Sequence, residues 1–335
     1  MRRLAGITVA LTVALVGSIF AGGTAMAATC TETTFVRDSH NLTARLVNPT
    51  GTVSGTVDAG ATVDSPATCD IGIYYGPGST GVVDNATIQD ATYFGIVNDG
   101  GNVSISNSTV TQIGDMPFTG NQHGTGILFE AGTGAIRANT VQLYQKNGIV
   151  LNLSGSSATI AGNTVSGRGP DALIAQNGIQ VSRGAKATVT GNTVTDHQYT
   201  GPTGVSSAGI LVTGGPWLGS GTPFTVGSII KKNTVTTYDV GIWLFNANSD
   251  FTAPSTATNE TVKFNTVSNA EVTNTTGFST TPPCGYQVGI ADLGKKDLIV
   301  NNSVSGTGYT KVPSDCPFLR FIDVTTKARG VPSNK

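Results

Sequence analysis

Ala187-Thr-Val-Thr-Gly-Asn-Thr-Val and, a few residues earlier, Asn177-Gly-Ile-Gln-Val-Ser are the two phrases on which the reading of this chain turns. In each, apolar and polar residues alternate with period two, and Gly or Asn breaks the run. That is the pattern of a short, half-buried strand. The first phrase recurs as Asn139-Thr-Val, Asn163-Thr-Val, Asn192-Thr-Val, Asn233-Thr-Val and Asn265-Thr-Val, with Asn85-Ala-Thr-Ile, Asn107-Ser-Thr-Val and Asn302-Ser-Val as variants. The aliphatics that close it form a column: Ile88, Val110, Val141, Val165, Val194, Val235, Val267 and Val304, at steps of 22, 31, 24, 29, 41, 32 and 37 residues. Gly-Ile alternates with this column, at 95–96, 126–127, 148–149, 178–179, 209–210, 241–242 and 289–290.

From each Gly-Ile to the next column aliphatic the gap is 14 to 16 residues in five cases and 25 in two, whereas the return gap runs from 7 to 23. One half of the unit is nearly constant and the other takes up most insertions. A stacked repeat with loops mainly on one face behaves this way. No 3.6-residue periodicity is sustained beyond the N-terminal segment. The expected architecture is all-β: one parallel β-helix of about eight or more coils, each ~4.8 Å above the last. An Asn at each bend suits a left-handed backbone and a hydrogen bond to the equivalent Asn one coil away.

Composition agrees. Lys and Arg number 19 against 20 Asp and Glu, only 12% of residues are charged, 38% are apolar and 44 are Gly. That is enough apolar matter for a continuous core, and the near-neutral charge argues against nucleic acid as a partner. Residues 1–27 read as a secretory signal: Arg2 and Arg3 precede an apolar run from Ile7 to Phe20, and Ala25-Met-Ala27 has the small-x-small form of a cleavage site. A secreted chain cleaved near Ala27, with no membrane segment thereafter, is expected. Residues 28–81 then form a cap and first coil, 82–316 the β-helix, and 317–335 a second cap or tail. Because elements of a solenoid touch only their neighbours along its axis, the four cysteines are expected to pair as Cys30–Cys69 and Cys284–Cys316, one bridge at each end.

The two phrases resemble those of the right-handed parallel β-helix repeat proteins, the superfamily that includes pectate lyases, over about residues 82–310. The resemblance implies a right-handed coil, export and, often, action on acidic polysaccharides. The Arg-x-Pro-x-x-Arg of pectate lyases and the Asp-Asp with Gly-His-Gly of polygalacturonases are missing, so site residues are read from register.

Three residues beyond the column aliphatic, Tyr144, Arg168, His197 and Tyr238 fall on four consecutive coils; two before Gly-Ile lie Lys146, Gln176 and Asp239. With Asp171, Asp196 and Tyr199 in the same loops they form an expected polar and aromatic strip suited to a sugar chain. For β-elimination on a uronate polymer, Arg168 or Lys146 would neutralise the carboxylate and His197 or Tyr238 would move the proton. Tyr144, Gln176, Asp171, Asp196, Tyr199 and Asp239 would bind substrate. For glycoside hydrolysis, two of Asp171, Asp196 and Asp239 would flank the bond. A non-catalytic glycan-binding envelope protein is the third reading. No cofactor is required by the sequence; a calcium ion on scattered carboxylates such as Asp84, Asp90 and Asp99 is the candidate should one be needed. The expected partner is a polysaccharide, and the protein is expected to be a monomer.

Overall fold

The computed structural model describes residues 29–60, 67–274, 286–310, 320–322 and 331–332. Eight strands carry the inward apolar positions of one sheet: Ile71–Tyr75, Phe94–Asp99, Thr125–Glu130, Asn147–Asn152, Asn177–Ser182, Ala208–Gly214, Val240–Asn246 and Val288–Asp292. They pair in parallel, each with the next, so that Ile96, Ile127, Ile149, Ile179, Ile210, Ile242 and Ile290 stack in register. The Asn-Thr-Val strands form the second sheet, where Val110, Val141, Val165, Val194, Val235, Val267 and Val304 align one above another. Both columns face one continuous interior, and their Ile and Val side chains are almost all fully buried. The coil is a parallel β-helix.

Parallel pairing stops at the ends. Thr31–Arg37 runs antiparallel to His40–Val47 on the first sheet, and Arg320–Ile322 runs antiparallel to Val288–Asp292. The expected Cys30–Cys69 disulfide is formed. Cys284, Cys316 and residues 1–28 lie outside the described residues. Among the described residues no helix is long and apolar enough to cross a membrane.

Tight corners are made by single residues with positive φ. One set, Ala138, Gly162, Gly191, Lys232, Phe264 and Asn301, stands immediately before the buried Asn of each coil. In these six coils the left-handed backbone falls one residue earlier than expected, which frees the Asn to point inward; at Asn85 and Asn107 it falls on the Asn itself, as expected. There Asn139, Asn163, Asn192, Asn233, Asn265 and Asn302 form a ladder in which each amide N–H donates to the next carbonyl oxygen at 2.8–3.0 Å. The same oxygens accept a backbone N–H from the coil before, and each Nδ2 also donates to a backbone carbonyl. An interior amide costs free energy unless its bonds are made; here they are.

Near the last coils the interior holds carboxyls as well. Glu260 Oε2 accepts the Ser228 N–H at 2.6 Å, and Asp297 Oδ1 accepts from Thr258 and the Glu260 N–H. Burial, reinforced by Asp297, pushes Glu260 up to about 9; burial, reinforced by Asp292, pushes Asp297 up to about 8.

Two outcomes follow from these interior groups. Asn192→Ala strands the amides of Asn163 and Asn233 and is expected to cost about 3 kcal/mol, read by denaturant unfolding, whereas Thr193→Ala on the exposed side of the same strand stays within about 0.5 kcal/mol. The raised carboxyls are protonated in the native chain at pH values where the unfolded chain has released those protons, so stability falls with rising pH. Melting temperature is expected to decline from about pH 5 to pH 9, and Glu260→Gln to flatten that decline; an unchanged slope in the variant would show that Glu260 does not carry it.

Candidate functional site

Alternation alone would place the third residue after each column aliphatic on the outside. The structure places it inside. A second set of positive-φ residues, Asp90, Gln112, Leu143, Asp196 and Thr237, inverts the alternation at the next corner. In consequence Ala91, Ile113, Tyr144, His197 and Tyr238 are all fully buried. Tyr144 and His197 bond to each other through Oη and Nε2, and Tyr238 Oη lies 2.9 Å from Tyr309 Oη. Burial pushes His197 down to about 3 and holds it neutral, and raises Tyr144 and Tyr238 well above their ordinary value. These three were expected on a binding face; they are interior ring contacts that no polysaccharide on the surface can touch.

Arg168 leaves the column altogether. Its coil bulges after Ser166, so that Gly169 and not Arg168 pairs with His197. Gly167 leaves room for the next coil, since a Cβ there would lie 3.0 Å from the His197 ring and 2.1 Å from the Asp196 carbonyl. The Arg168 guanidinium instead pairs with Asp171 and sits 4.4 Å from the centre of the Phe118 ring. Asp171 is buried and receives the Leu173 N–H at 2.8 Å. Asp196 stays half-buried at the corner.

Gln176 and Asp239 bind the protein's own loops. Gln176 donates to the Tyr144 carbonyl at 2.6 Å and accepts the Arg168 N–H at 2.8 Å. Asp239 Oδ2 accepts the N–H groups of Tyr199 and Ser207, both at 2.8 Å, and burial pushes it up to about 8. Gln145 and Gln287 do the same for their loops. A run of polar residues before Gly-Ile is thus a set of latches that satisfies loop backbone. The interior Asp239 and the salt-bridged Asp171 do not form a pair flanking a surface groove.

The open surface lies on the outer side of the Gly-Ile sheet. Two adjoining depressions of about 450 and 470 Å³ share Gln122, Lys146, Asn177, Leu211 and Trp217. Of the residues singled out in the sequence for the binding strip, Lys146 and Tyr199 line this groove. Its floor is the residue after each Gly-Ile, which register stacks as Leu128, Val150, Gln180, Leu211 and Trp243. Beside it runs an amide row in which Asn177 donates to Asn147 and to Gln180, each at 3.2 Å. One end is framed by the N-terminal hairpin, where Phe35 packs edge-on against Phe94 and Arg37 pairs with Glu130. At the other end Trp217 and Trp243 both stand against Phe245, at 4.8 and 4.9 Å. Leu173, Ile174, Tyr199 and Val205, from loops of the variable half, make one wall.

Lys146 is half-buried; its Nζ donates to the Ala175 carbonyl at 2.7 Å, and burial pushes it down to about 8. Neither Lys146 nor Arg183, which lines the same groove, forms an ion pair among the described residues. Arg183, Trp243 and the floor column are site residues that the sequence reading passed over, although the step of one beyond Gly-Ile marks them. Asp84, Asp90 and Asp99 each accept a separate hydrogen bond, from Ser106, Gln89 and Tyr74. No group of three or more His, Cys, Asp or Glu among the described residues is arranged to hold a metal ion.

No curated protein and no solved structure matches the chain. Residues 59–216 match the family model described as right handed beta helix region. Stacked Gly-Ile and Asn-Thr-Val strands, inward columns in register and this match together make the chain a right-handed parallel β-helix repeat protein.

Proposed function

We propose that this is an exported protein that lays an acidic, uronate-containing polysaccharide along the outer groove of the Gly-Ile sheet and cleaves it by β-elimination. The observation that carries the reading is the pairing of two cations free of carboxylate partners, Lys146 and Arg183, with an aromatic and amide floor. Rings and aliphatic faces suit the apolar face of a pyranose, and side-chain amides suit its hydroxyls. Cations without a carboxylate partner suit carboxylates repeated along a chain. From the strand of Phe94 to that of Val240 the groove crosses six strands, about 24 Å at one strand spacing per step, room for a short oligosaccharide. A disulfide at the N-terminal end fits an oxidising compartment.

Hydrolysis fits less well. Among the described lining residues Glu130 is the one carboxylate, and Arg37 holds it, so these residues offer no pair of carboxyls to flank a bond. Glycan binding without cleavage is the second reading, favoured by the same scarcity of ionisable groups on the floor.

Binding of polygalacturonate and alginate by the purified protein is expected to weaken with added salt. Lys146→Ala and Arg183→Ala are each expected to weaken it about tenfold, the size of one charge-assisted hydrogen bond. Arg168→Ala, whose charge is spent on Asp171, is expected to leave binding unchanged. Because Lys146 carries its charge only below about pH 8, affinity is expected to drop as pH rises through that value, and Lys146→Ala to lose the drop. Ultraviolet absorbance of an unsaturated uronate marks elimination; reducing ends without it would mean hydrolysis, and binding without either would leave the second reading.

A further inference from the structure

At the rim of this groove three successive coils build the corner that precedes the Gly-Ile strands. Thr125 donates its N–H to the Tyr93 carbonyl, and Lys146 donates its N–H to the Gly124 carbonyl at 2.8 Å. Tyr93, Gly124 and Lys146 therefore lie at one edge of the Gly-Ile sheet, in step along the axis, and His123 stands one residue before Gly124. Gln122, beside His123 in the chain, lines both depressions.

The His123 ring is fixed from two sides. Its Nε2 lies 2.8 Å from Asp115 Oδ1, and its face stacks on Tyr93 with ring centres 4.3 Å apart. Asp115 is itself held, its other oxygen accepting from Thr119 at 2.5 Å and Asn121 at 2.9 Å. Burial alone would raise Asp115, but the hydrogen bonds from Thr119, His123 and Asn121 outweigh it and push it down to about 2. An ionised carboxylate cannot donate, so the proton of neutral His123 sits on Nε2 and the lone pair on Nδ1. Among the described residues no partner occupies Nδ1, and the side chain keeps 15% of its surface exposed. The Tyr93 hydroxyl is spent on Asp38 at 2.9 Å, burial and then Asp38 push it up to about 12, and His40 packs on its edge. Tyr93 is thus a support for the ring and no acid.

We infer that His123, oriented by Asp115, is the base that takes the proton from the substrate carbon next to the carboxylate that Lys146 neutralises. The assignment rests on the β-elimination reading above and moves its proton transfer from the buried His197 to a residue on the surface. In the step, Nδ1 gains the proton and the C–H electron pair becomes the new carbon–carbon double bond. The adjacent glycosidic C–O bond breaks with its pair on oxygen. That oxygen takes a proton from water, and the imidazolium neutralises the hydroxide left behind.

Turnover of polygalacturonate and alginate, followed by absorbance, is measured beside binding of the same polymers. His123→Ala is expected to lower kcat at least 100-fold, within the range of a general base, with KM and binding unchanged within about threefold and partial rescue by added imidazole. Asp115 is a positioning residue, and Asp115→Asn is expected to lower kcat and to move the acid limb of the pH–rate profile to lower pH, since the imidazolium loses its carboxylate. The charged or titratable groups bearing on that limb are Asp115, Asp38, His40, Tyr93 and Lys146. His123→Gln, closer in size, guards against a folding defect, checked by melting temperature. Wild-type kcat in both His123 variants would overturn the assignment. Binding by the parent protein without turnover would overturn it too and leave the groove reading standing; absence of binding would overturn both.

Discussion

Every feature of this molecule depends on the hydrogen-bonded register between one coil and the next. Parallel pairing at a single strand spacing forces equivalent residues into columns, so a choice made in one coil is repeated or contradicted in its neighbours. An inward Ile must meet an inward Ile. The same rule lets an amide survive in the interior, because the next coil supplies its partner at the correct height. Insertions are tolerated only where the chain leaves the ladder, which is why loops gather at the corner before the Gly-Ile strands and build the wall of the groove there.

The columns of this fold were legible because register is a property of spacing, and spacing survives in the letters. The facing of a side chain is less secure. One residue with positive φ reverses it, and Leu143 and Thr237 are not types that announce such a conformation. Tyr144, His197 and Tyr238 thus read as a surface strip and fold as an interior one. Arg168 illustrates a different loss: a bulge after Ser166 moves it one residue out of step, and nothing in the local letters distinguishes that coil from its neighbours. Lys146 was legible because the strand it precedes begins immediately after it. The value of His123 lies in Asp115 and Tyr93, which the sequence separates by 8 and 30 residues and the coil brings together.

Charge placement divides the molecule. The coil interior carries its polar groups neutral or fully bonded, His197 uncharged and Glu260 protonated. Carboxylates that stay ionised are saturated by local donors, as Asp115 is. Lys146 and Arg183 on the groove have no carboxylate partner among the described residues, and in a chain with a net charge of −1 their placement on one face gives that face a sign the whole protein lacks.

The reversed strands at the two ends carry a consequence for the protein in a crowded solution. A parallel coil with a bare rim is a template on which another copy could continue the stack, and a regular solenoid of this kind would seed its own fibre. Thr31–Arg37 and Arg320–Ile322 run against the direction that the next coil would need. A further copy meeting either strand finds its donors and acceptors out of phase with its own parallel ladder. On the Gly-Ile sheet, both outer edges are strands laid the wrong way round.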